Sequence, residues 1–371
     1  MSPESGRRRS WRWPRSASVA VAAALTIAAC GLVPGASDPT DDDSTGENAT
    51  DGGAPSASAA QAGTDSSPTP AQGASAPPPT PGELCAGLGA AAVADVADTG
   101  LTETSGLAAA TTAPDLLWAH NDSGSEPALH GIGLDGAARG RVALAGITPE
   151  DPEDLAVVGG TVYLADIGDN NATRPGVSIY RFPEPTPDAD STAPGERLDL
   201  VYPSQPTDAE AFLVDPITGQ LVIIGKTVGF RLGGDSLVGP AEAPVFVAEP
   251  AWGAGPITLT EAGSVALDDL DRASAAPAPD GLIGDLGVAG VATGADISAD
   301  GTVIALRTYR TVWLFARDPA RSVAEALAGT PCEAPSLPEA QGEAIAFLPG
   351  AAPAFATVSE GVGPPLHLTR R

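Results

Sequence analysis

The stretch Glu153-Asp154-Leu155-Ala156-Val157-Val158-Gly159-Gly160-Thr161-Val162-Tyr163-Leu164-Ala165-Asp166 reads as one complete β-hairpin. Two apolar runs flank Gly159-Gly160, a pair that accepts the positive φ angles of a tight hairpin turn. The second run, Val162-Tyr163-Leu164-Ala165, is apolar on consecutive positions, so both of its faces are covered, as in stacked sheets. Leu221-Val222-Ile223-Ile224 after Thr218-Gly219, and Val303-Ile304-Ala305-Leu306 after Asp300-Gly301, carry the same signal. Asp135-Gly136 marks a further turn.

The first element of this hairpin recurs. Ser105-Gly106-Leu107-Ala108, Glu210-Ala211-Phe212-Leu213, Ala295-Asp296-Ile297-Ser298 and Glu343-Ala344-Ile345-Ala346 resemble it, at steps of 48, 57, 85 and 48 residues from Gly106. If the long step hides a degenerate copy around 250–290, six units of about 48 residues fill the region, the size of four-stranded propeller blades. The expected fold is therefore all-β, a six-bladed β-propeller, with five or seven blades remaining open. The last unit has strands at 343–348, 354–358 and 366–369 and is one strand short. The segment 93–103 is expected to supply the missing outer strand and close the ring by pairing N-terminal with C-terminal sequence. One helix is expected, with Asp318 as N-cap, Pro319 in its first turn and Gly329 as its stop.

Outward from the repeats, the N-terminal region has a different character. Arg7, Arg8, Arg9, Arg12 and Arg15 precede an apolar run over 17–29 and then Cys30. That run is shorter than the roughly 20 helical residues a hydrocarbon core requires, so it reads as an export signal. Ile27-Ala28-Ala29-Cys30 resembles a bacterial lipobox, which makes Cys30 the lipidation site; the alternative is an ordinary signal peptide followed by an incidental cysteine. Residues 30–84 are rich in Ser, Ala, Thr, Pro, Gly and acids and nearly free of large apolar side chains. Such a segment cannot bury enough surface to offset its conformational entropy and reads as a disordered acidic tether. The expected organisation is a signal peptide at 1–29, a tether at 30–84 and a propeller domain at 85–371. The expected location is the extracytoplasmic face of the cell membrane, with the lipid bilayer as partner.

The whole chain carries a formal charge of −28. Without residues 1–29 it keeps 14 basic and 46 acidic residues, a net of −32, which repels nucleic acid and anionic headgroups. Cys85 and Cys332 are the remaining thiols, 247 residues apart near the two ends of the folded region. In an exported chain they are expected to form a disulfide across the seam, the alternative being two unpaired buried cysteines.

An antiparallel hairpin places the start of its first strand beside the end of its second. Two columns of side chains therefore meet on one face of the ring. The first holds Glu153, Asp154, Glu210 with Asp208, Asp296 and Glu343. The second holds His120, Asp122, Asp166, Asp169, Lys226, Arg307, Ser359 and Glu360. Converging carboxylates repel one another unless a cation neutralises them, and hard oxygen ligands suit calcium. Glu153, Asp154, Asp169, Glu210, Asp296 and Glu343 are the candidate metal ligands, with calcium as the expected cofactor. His120, Asp122, Lys226 and Arg307 are the candidate ligand-binding residues. The competing reading is structural: Asp and Asn in turns bond their own backbone, and the acids pair with Arg307, Arg310 or Lys226. Two motifs fail on spacing. Asp296-Ile297-Ser298-Ala299-Asp300-Gly301 starts like a calcium loop, but Arg307 stands at its twelfth position. Gly225-Lys226-Thr227 resembles the end of a phosphate-binding loop, but five residues, not four, separate Gly219 from Gly225.

The elements Trp118-Ala119-His120-Asn121-Asp122-Ser123-Gly124, Asp166-Ile167-Gly168-Asp169-Asn170, Asp208-Ala209-Glu210-Ala211 and Gly342-Glu343-Ala344 resemble an actinobacterial family of secreted propeller lipoproteins. That family is distantly similar to the phytase-like, esterase-like propellers. The resemblance, over about residues 100–371, implies a propeller with an acidic, calcium-binding channel mouth. The dense Lys/Arg phosphate clamp of a working phytase is missing, since only Lys226 and Arg307 qualify. The sequence thus points to a membrane-anchored ligand-binding propeller. A metal-dependent phosphoester or ester hydrolase is the alternative, and a non-catalytic protein-interaction scaffold the next; catalysis itself stays open.

Overall fold

A computed structural model of the chain describes residues 78–231, 237–350 and 353–371. The signal segment, Cys30 and most of the tether lie outside these residues. Helix α1 (Pro81–Cys85) already falls within the segment expected to be tether, so regular structure begins before residue 85. Its cause is local. The Thr80 hydroxyl accepts the Glu83 N–H and the Glu83 carboxylate accepts the Thr80 N–H, while Pro81 presets the first turn. Leu84, the one large apolar side chain of that turn, is buried.

After α1 comes β1 (Gly89–Asp95), and then the first blade: β2 (Thr104–Ala109), β3 (Leu116–Asn121), β4 (Ala128–Gly133) and β5 (Ala138–Ala143). Blade 2 follows with β6 (Pro152–Val158), β7 (Thr161–Asp166), β8 (Val177–Pro183) and β9 (Glu196–Val201). Blade 3 begins with β10 (Ala209–Val214) and β11 (Leu221–Gly225). A separate hairpin of β12 (Val228–Arg231) and β13 (Leu237–Pro240) interrupts it before β14 (Glu242–Ala248). The short β15 (Ile257–Thr258) crosses to pair in parallel with β9, and β16 (Thr260–Ala266) completes blade 3. Helices α2 (Leu267–Ala273) and α3 (Leu282–Leu286) then lead into blade 4, made of β17 (Ala292–Ile297), β18 (Val303–Thr308) and β19 (Val312–Ala316), then α4 (Val323–Leu327) and β20 (Cys332–Ala334). Blade 5 has β21 (Gly342–Phe347), β22 (Phe355–Ser359) and β23 (Pro365–Arg370), with β1 as its outermost strand.

The ring therefore has five blades, not six. The recurring elements at 105, 153, 210, 295 and 343 all lie in inner strands, β2, β6, β10, β17 and β21, and each inner strand touches the next around the circle. No sixth copy lies in 250–290. The β12–β13 hairpin, the crossing β15 and the two helices account for the extra length of that step. Closure by N- and C-terminal pairing is as expected, but the closing strand is β1 at 89–95, not 93–103. Val96 and Leu101 beyond it are buried and turn inward toward blade 1. The expected helix at 318–329 is shorter: Ser322, not Asp318, caps α4, through a reciprocal bond with Glu325.

Five apolar cores lie between neighbouring blades, which explains the consecutive apolar runs. Leu221 and Ile223 of β11 face blade 2, whereas Val222 and Ile224 face blade 4. Likewise Val303 and Ala305 of β18 pack against blade 5, and Ile304 and Leu306 against blade 3. A blade in a closed ring has no solvent face except at its outer strand, so period-2 alternation disappears from its middle strands. Cys85 and Cys332 are bonded, with Cα atoms 6.2 Å apart. The bond fastens the turn before β1 to the outer strand of blade 4. Among the described residues no helix is long and apolar enough to cross a membrane.

Candidate metal centre

Every inner strand carries a register irregularity at its start, where one extra residue stands against its partner strand. Such bulges re-aim a side chain and recur beside functional sites. In blades 2 to 5 the extra residue is Glu153, Glu210, Thr293 or Glu343. In blade 1 Ser105 and Gly106 stand opposite His120. The ring of bulges thus holds three glutamates and two hydroxyls. The hydroxyls tie blades together: Ser105 donates to the Glu153 carbonyl at 2.6 Å, and Thr293 to the Gly342 carbonyl at 2.8 Å.

Two further positions repeat around this mouth. The carbonyls of Glu103, Asp151, Asp208 and Gln341, one residue ahead of their inner strands, accept the N–H of Asp122, Gly168, Lys226 and Glu360 respectively. Blade 2 therefore presents Asp151, Glu153 and Gly168, and blade 3 presents Asp208, Glu210 and Lys226 at the same places.

Asp122 of blade 1 joins the blade 2 pair. One carboxylate oxygen from each of Asp122, Asp151 and Glu153 lies within 4.8 Å of the others. Two oxygens on opposite sides of one calcium ion, each about 2.4 Å from it, stand about 4.8 Å apart, so this spacing suits that ion. Gly168 makes the room: a Cβ there would collide with Glu153 Oε1 and Asp151 Oδ2. Burial and then the charge of Asp122 push Asp151 up to about 6. Glu153 is driven well above the usual carboxylate range by burial, then by Glu210, Asp122 and Asp151. Asp151 was not among the sequence candidates; its place between Glu150 and Pro152 reads as a loop, and only its distance from Glu153 marks it.

The other half of the mouth holds Glu210, Glu343 and Glu360. The Lys226 ammonium pairs with Glu210 and lies 5.4 Å from the centre of the Tyr309 ring. Glu210 is nonetheless pushed up to about 8, by burial against the pull of Lys226, and its Oε2 is buried without a hydrogen-bond partner. Burial and Glu360 raise Glu343.

The remaining candidates stand elsewhere. Asp154 lies below the mouth and crosses the channel: Oδ2 accepts the N–H of Phe212 at 2.8 Å and of Ala295 at 3.1 Å, and Oδ1 accepts Leu155 N–H at 2.8 Å. Asp296 does likewise, accepting Ile297 N–H and Phe347 N–H, both at 2.7 Å. Inner strands are sheet edges with unpaired N–H groups, and these two carboxylates satisfy them. They brace the inner strands, and neither stands in the group formed by Asp122, Asp151 and Glu153. The blade 4 counterpart of Glu153 is Thr293, three residues earlier than Asp296.

Asp169 closes its own loop by accepting the N–H groups of Thr173 and Arg174. His120 fills the gap over Gly106, where a Cβ would collide with its Nε2. Its Nδ1 bonds the Asn121 carbonyl at 2.8 Å, burial lowers it to about 4, and its Nε2 is buried without a hydrogen-bond partner. Arg307 is buried in an ion pair with Glu339, its guanidinium packed against Gly342. Glu339 also accepts His367 Nδ1 at 2.8 Å and Thr357 Oγ1 at 2.7 Å, so this arginine belongs to a structural network between blades 4 and 5. A shallow cavity beside the triad, between blades 1 and 2, is lined by Asp122, Ser123, Glu126, Pro149, Pro152 and His130.

No protein-family model matches the chain, and no curated protein matches it. Among solved structures, the aldose sugar dehydrogenase of Streptomyces coelicolor with bound PQQ is 11% identical, covering 79% of this chain and 99% of its own at a TM-score of 0.40. The calcium structure of Trichoderma reesei Carbohydrate-Active Enzymes Family AA12 is 11% identical, covering 77% and 96% at 0.41. Regucalcin, a calcium-binding protein from Agrobacterium tumefaciens, is 12% identical, covering 75% and 93% at 0.38. Likenesses this distant carry no argument about what the chain binds.

Proposed function

We propose that this protein is a ligand-binding propeller, held outside the cell by a lipid on Cys30, whose channel mouth takes a calcium ion between Asp122, Asp151 and Glu153. The observation that carries the calcium reading is the triad itself: three carboxylates meet where Gly168 leaves space. Hydrogen ions or a metal must neutralise such a group, and calcium accepts hard oxygen ligands at flexible coordination numbers. Three carboxylates leave part of the coordination sphere for water or for oxygen atoms of a ligand seated in the adjoining cavity. What supports the anchor is the order basic stretch, apolar run, Cys30.

The phytase-like resemblance supports an acidic mouth and little more. Lys226 and Arg307, the two bases hydrolysis of a phosphoester would draw on, are each paired with a buried glutamate. Among the described mouth residues named above, no unpaired Lys or Arg side chain stands beside the triad to help a bound ion meet a developing oxyanion. Binding without turnover is therefore the reading the geometry favours. Fractionation of cells expressing Cys30→Ser tests the anchor: the variant should leave the membrane fraction or accumulate unprocessed. Unchanged membrane retention would overturn that half of the proposal. The calcium half is tested by titrating the metal-free chain with calcium: one ion should bind, and Asp151→Asn should lose it.

A further inference from the structure

Blades 2 and 3 present the same pair of acids to the mouth, and they differ at the third repeating position. In blade 2, Asp151 and Glu153 face the space above Gly168, and Asp122 completes the set. In blade 3, Asp208 and Glu210 stand at the equivalent places, and Lys226, whose N–H bonds the Asp208 carbonyl as the Gly168 N–H bonds that of Asp151, stands where blade 2 has the glycine. Its ammonium lies on Glu210, with the Tyr309 ring 5.4 Å away. After Glu210 and Tyr309, Asp208 and then Glu343 act on it. Glu210 still has one buried oxygen, Oε2, with no hydrogen-bond partner. The ion pair therefore leaves part of the carboxylate unused, as a singly charged donor standing in for a multiply coordinating divalent ion would.

We propose that Lys226 is a tethered cation occupying, in blade 3, the position that blade 2 leaves open for a divalent ion. The lysine thereby limits the mouth to one exchangeable metal. It rests on the calcium reading of the blade 2 triad for the meaning of "open", but its own residues are different ones. An ammonium differs from calcium in being a point charge with three donors and no capacity to gather six or more oxygens. Removing it uncovers Asp208, Glu210 and Glu343 together, with nothing to neutralise them. The pair of half-sites also explains why this protein's only lysine is found at a buried mouth and not on the surface.

The test is the calcium stoichiometry of the full chain by isothermal titration, for the unaltered protein, Lys226→Ala and Lys226→Arg. One ion is expected for the unaltered protein and for Lys226→Arg, and two for Lys226→Ala. The second should disappear in Lys226→Ala/Glu210→Gln, while Asp151→Asn removes the first. A folded Lys226→Ala that binds a single ion overturns the proposal. A protein that binds no ion unaltered, yet gains one in Lys226→Ala that Glu210→Gln abolishes, sinks the triad reading and the comparison with blade 2, and keeps only Lys226 as a tethered cation in a blade 3 cation site. Should Lys226→Ala unfold in chelator, refolding on addition of calcium reports the same second ion; unfolding that calcium does not reverse counts against it.

Discussion

Asp154→Ala and Asp154→Asn should destabilise the ring by different amounts, and the difference follows from which oxygen serves which strand. Oδ2 holds Phe212 N–H of blade 3 and Ala295 N–H of blade 4, and Oδ1 holds Leu155 N–H of its own strand. Burial opposes the charge, and those three N–H groups favour it. A hydrogen bond to a charged group contributes about 1.5–3 kcal/mol, but desolvation of the carboxylate offsets part of that. Alanine removes all three acceptors and leaves three N–H groups facing a narrow channel, so a loss of about 4 kcal/mol is expected. Asparagine can keep its carbonyl where Oδ2 stands and lose only the Leu155 bond, replacing it with an NH2 against an N–H. That costs about 1–3 kcal/mol. Urea unfolding of the full chain in chelator, which separates this effect from metal binding, gives the two midpoints. With a slope near 3 kcal/mol per molar, alanine should shift the midpoint by about 1 M and asparagine by less, at unchanged slope. An alanine variant with the unaltered midpoint would refute the strut.

The disulfide should leave Cys85 and Cys332 unlabelled by alkylation of the denatured, unreduced chain, and reduction should cost about 4 kcal/mol through the long loop it closes. Full labelling of both thiols without reductant contradicts it. The acid mouth sets a pH dependence with a definite sign. Burial and neighbouring acids raise Asp151 to about 6 and hold Glu153 well above the usual carboxylate range, so the folded chain holds extra protons from about pH 4 upward. Their stabilising contribution is present in acid and lost as pH rises through those values. In chelator the melting temperature should therefore fall from pH 5 to pH 8, and calcium should flatten the profile. A metal-free melting temperature that climbs steadily over that range is the contrary result.

Much of the architecture is readable in the sequence because a closed ring of blades leaves clear marks: Gly-containing turns, consecutive apolar runs and a short recurring element in each inner strand. The five copies that can be read are the five blades. The sixth came from assuming even spacing across 211–296, where a hairpin and two short helices rise from one blade without beginning another. The site was harder for a different reason. Asp154 and Asp296 look like ligands because an inner strand needs an acid either to hold a metal or to bond its neighbours' N–H groups, and residue type does not separate the two needs. The extra residue in each inner strand is also invisible in one dimension, which put Asp296 in register with Glu153 in place of Thr293. Asp151 and Gly168 escaped because one supplies a carboxylate from a proline-flanked loop and the other supplies only an absence.

The most direct measurement is a calcium titration of the metal-free full chain at pH 7.5, read as heat and as melting temperature, beside Asp151→Asn and Glu153→Gln. One ion should bind to the unaltered chain. At a hundredfold excess over the dissociation constant, it should stabilise the fold by about 2.7 kcal/mol, a rise of roughly 5 °C for a domain of this size. Both variants should fold and lose most of that rise. If the unaltered chain gives no heat and no change in melting temperature, or if the variants respond to calcium as fully as it does, then Asp122, Asp151 and Glu153 do not form a calcium site.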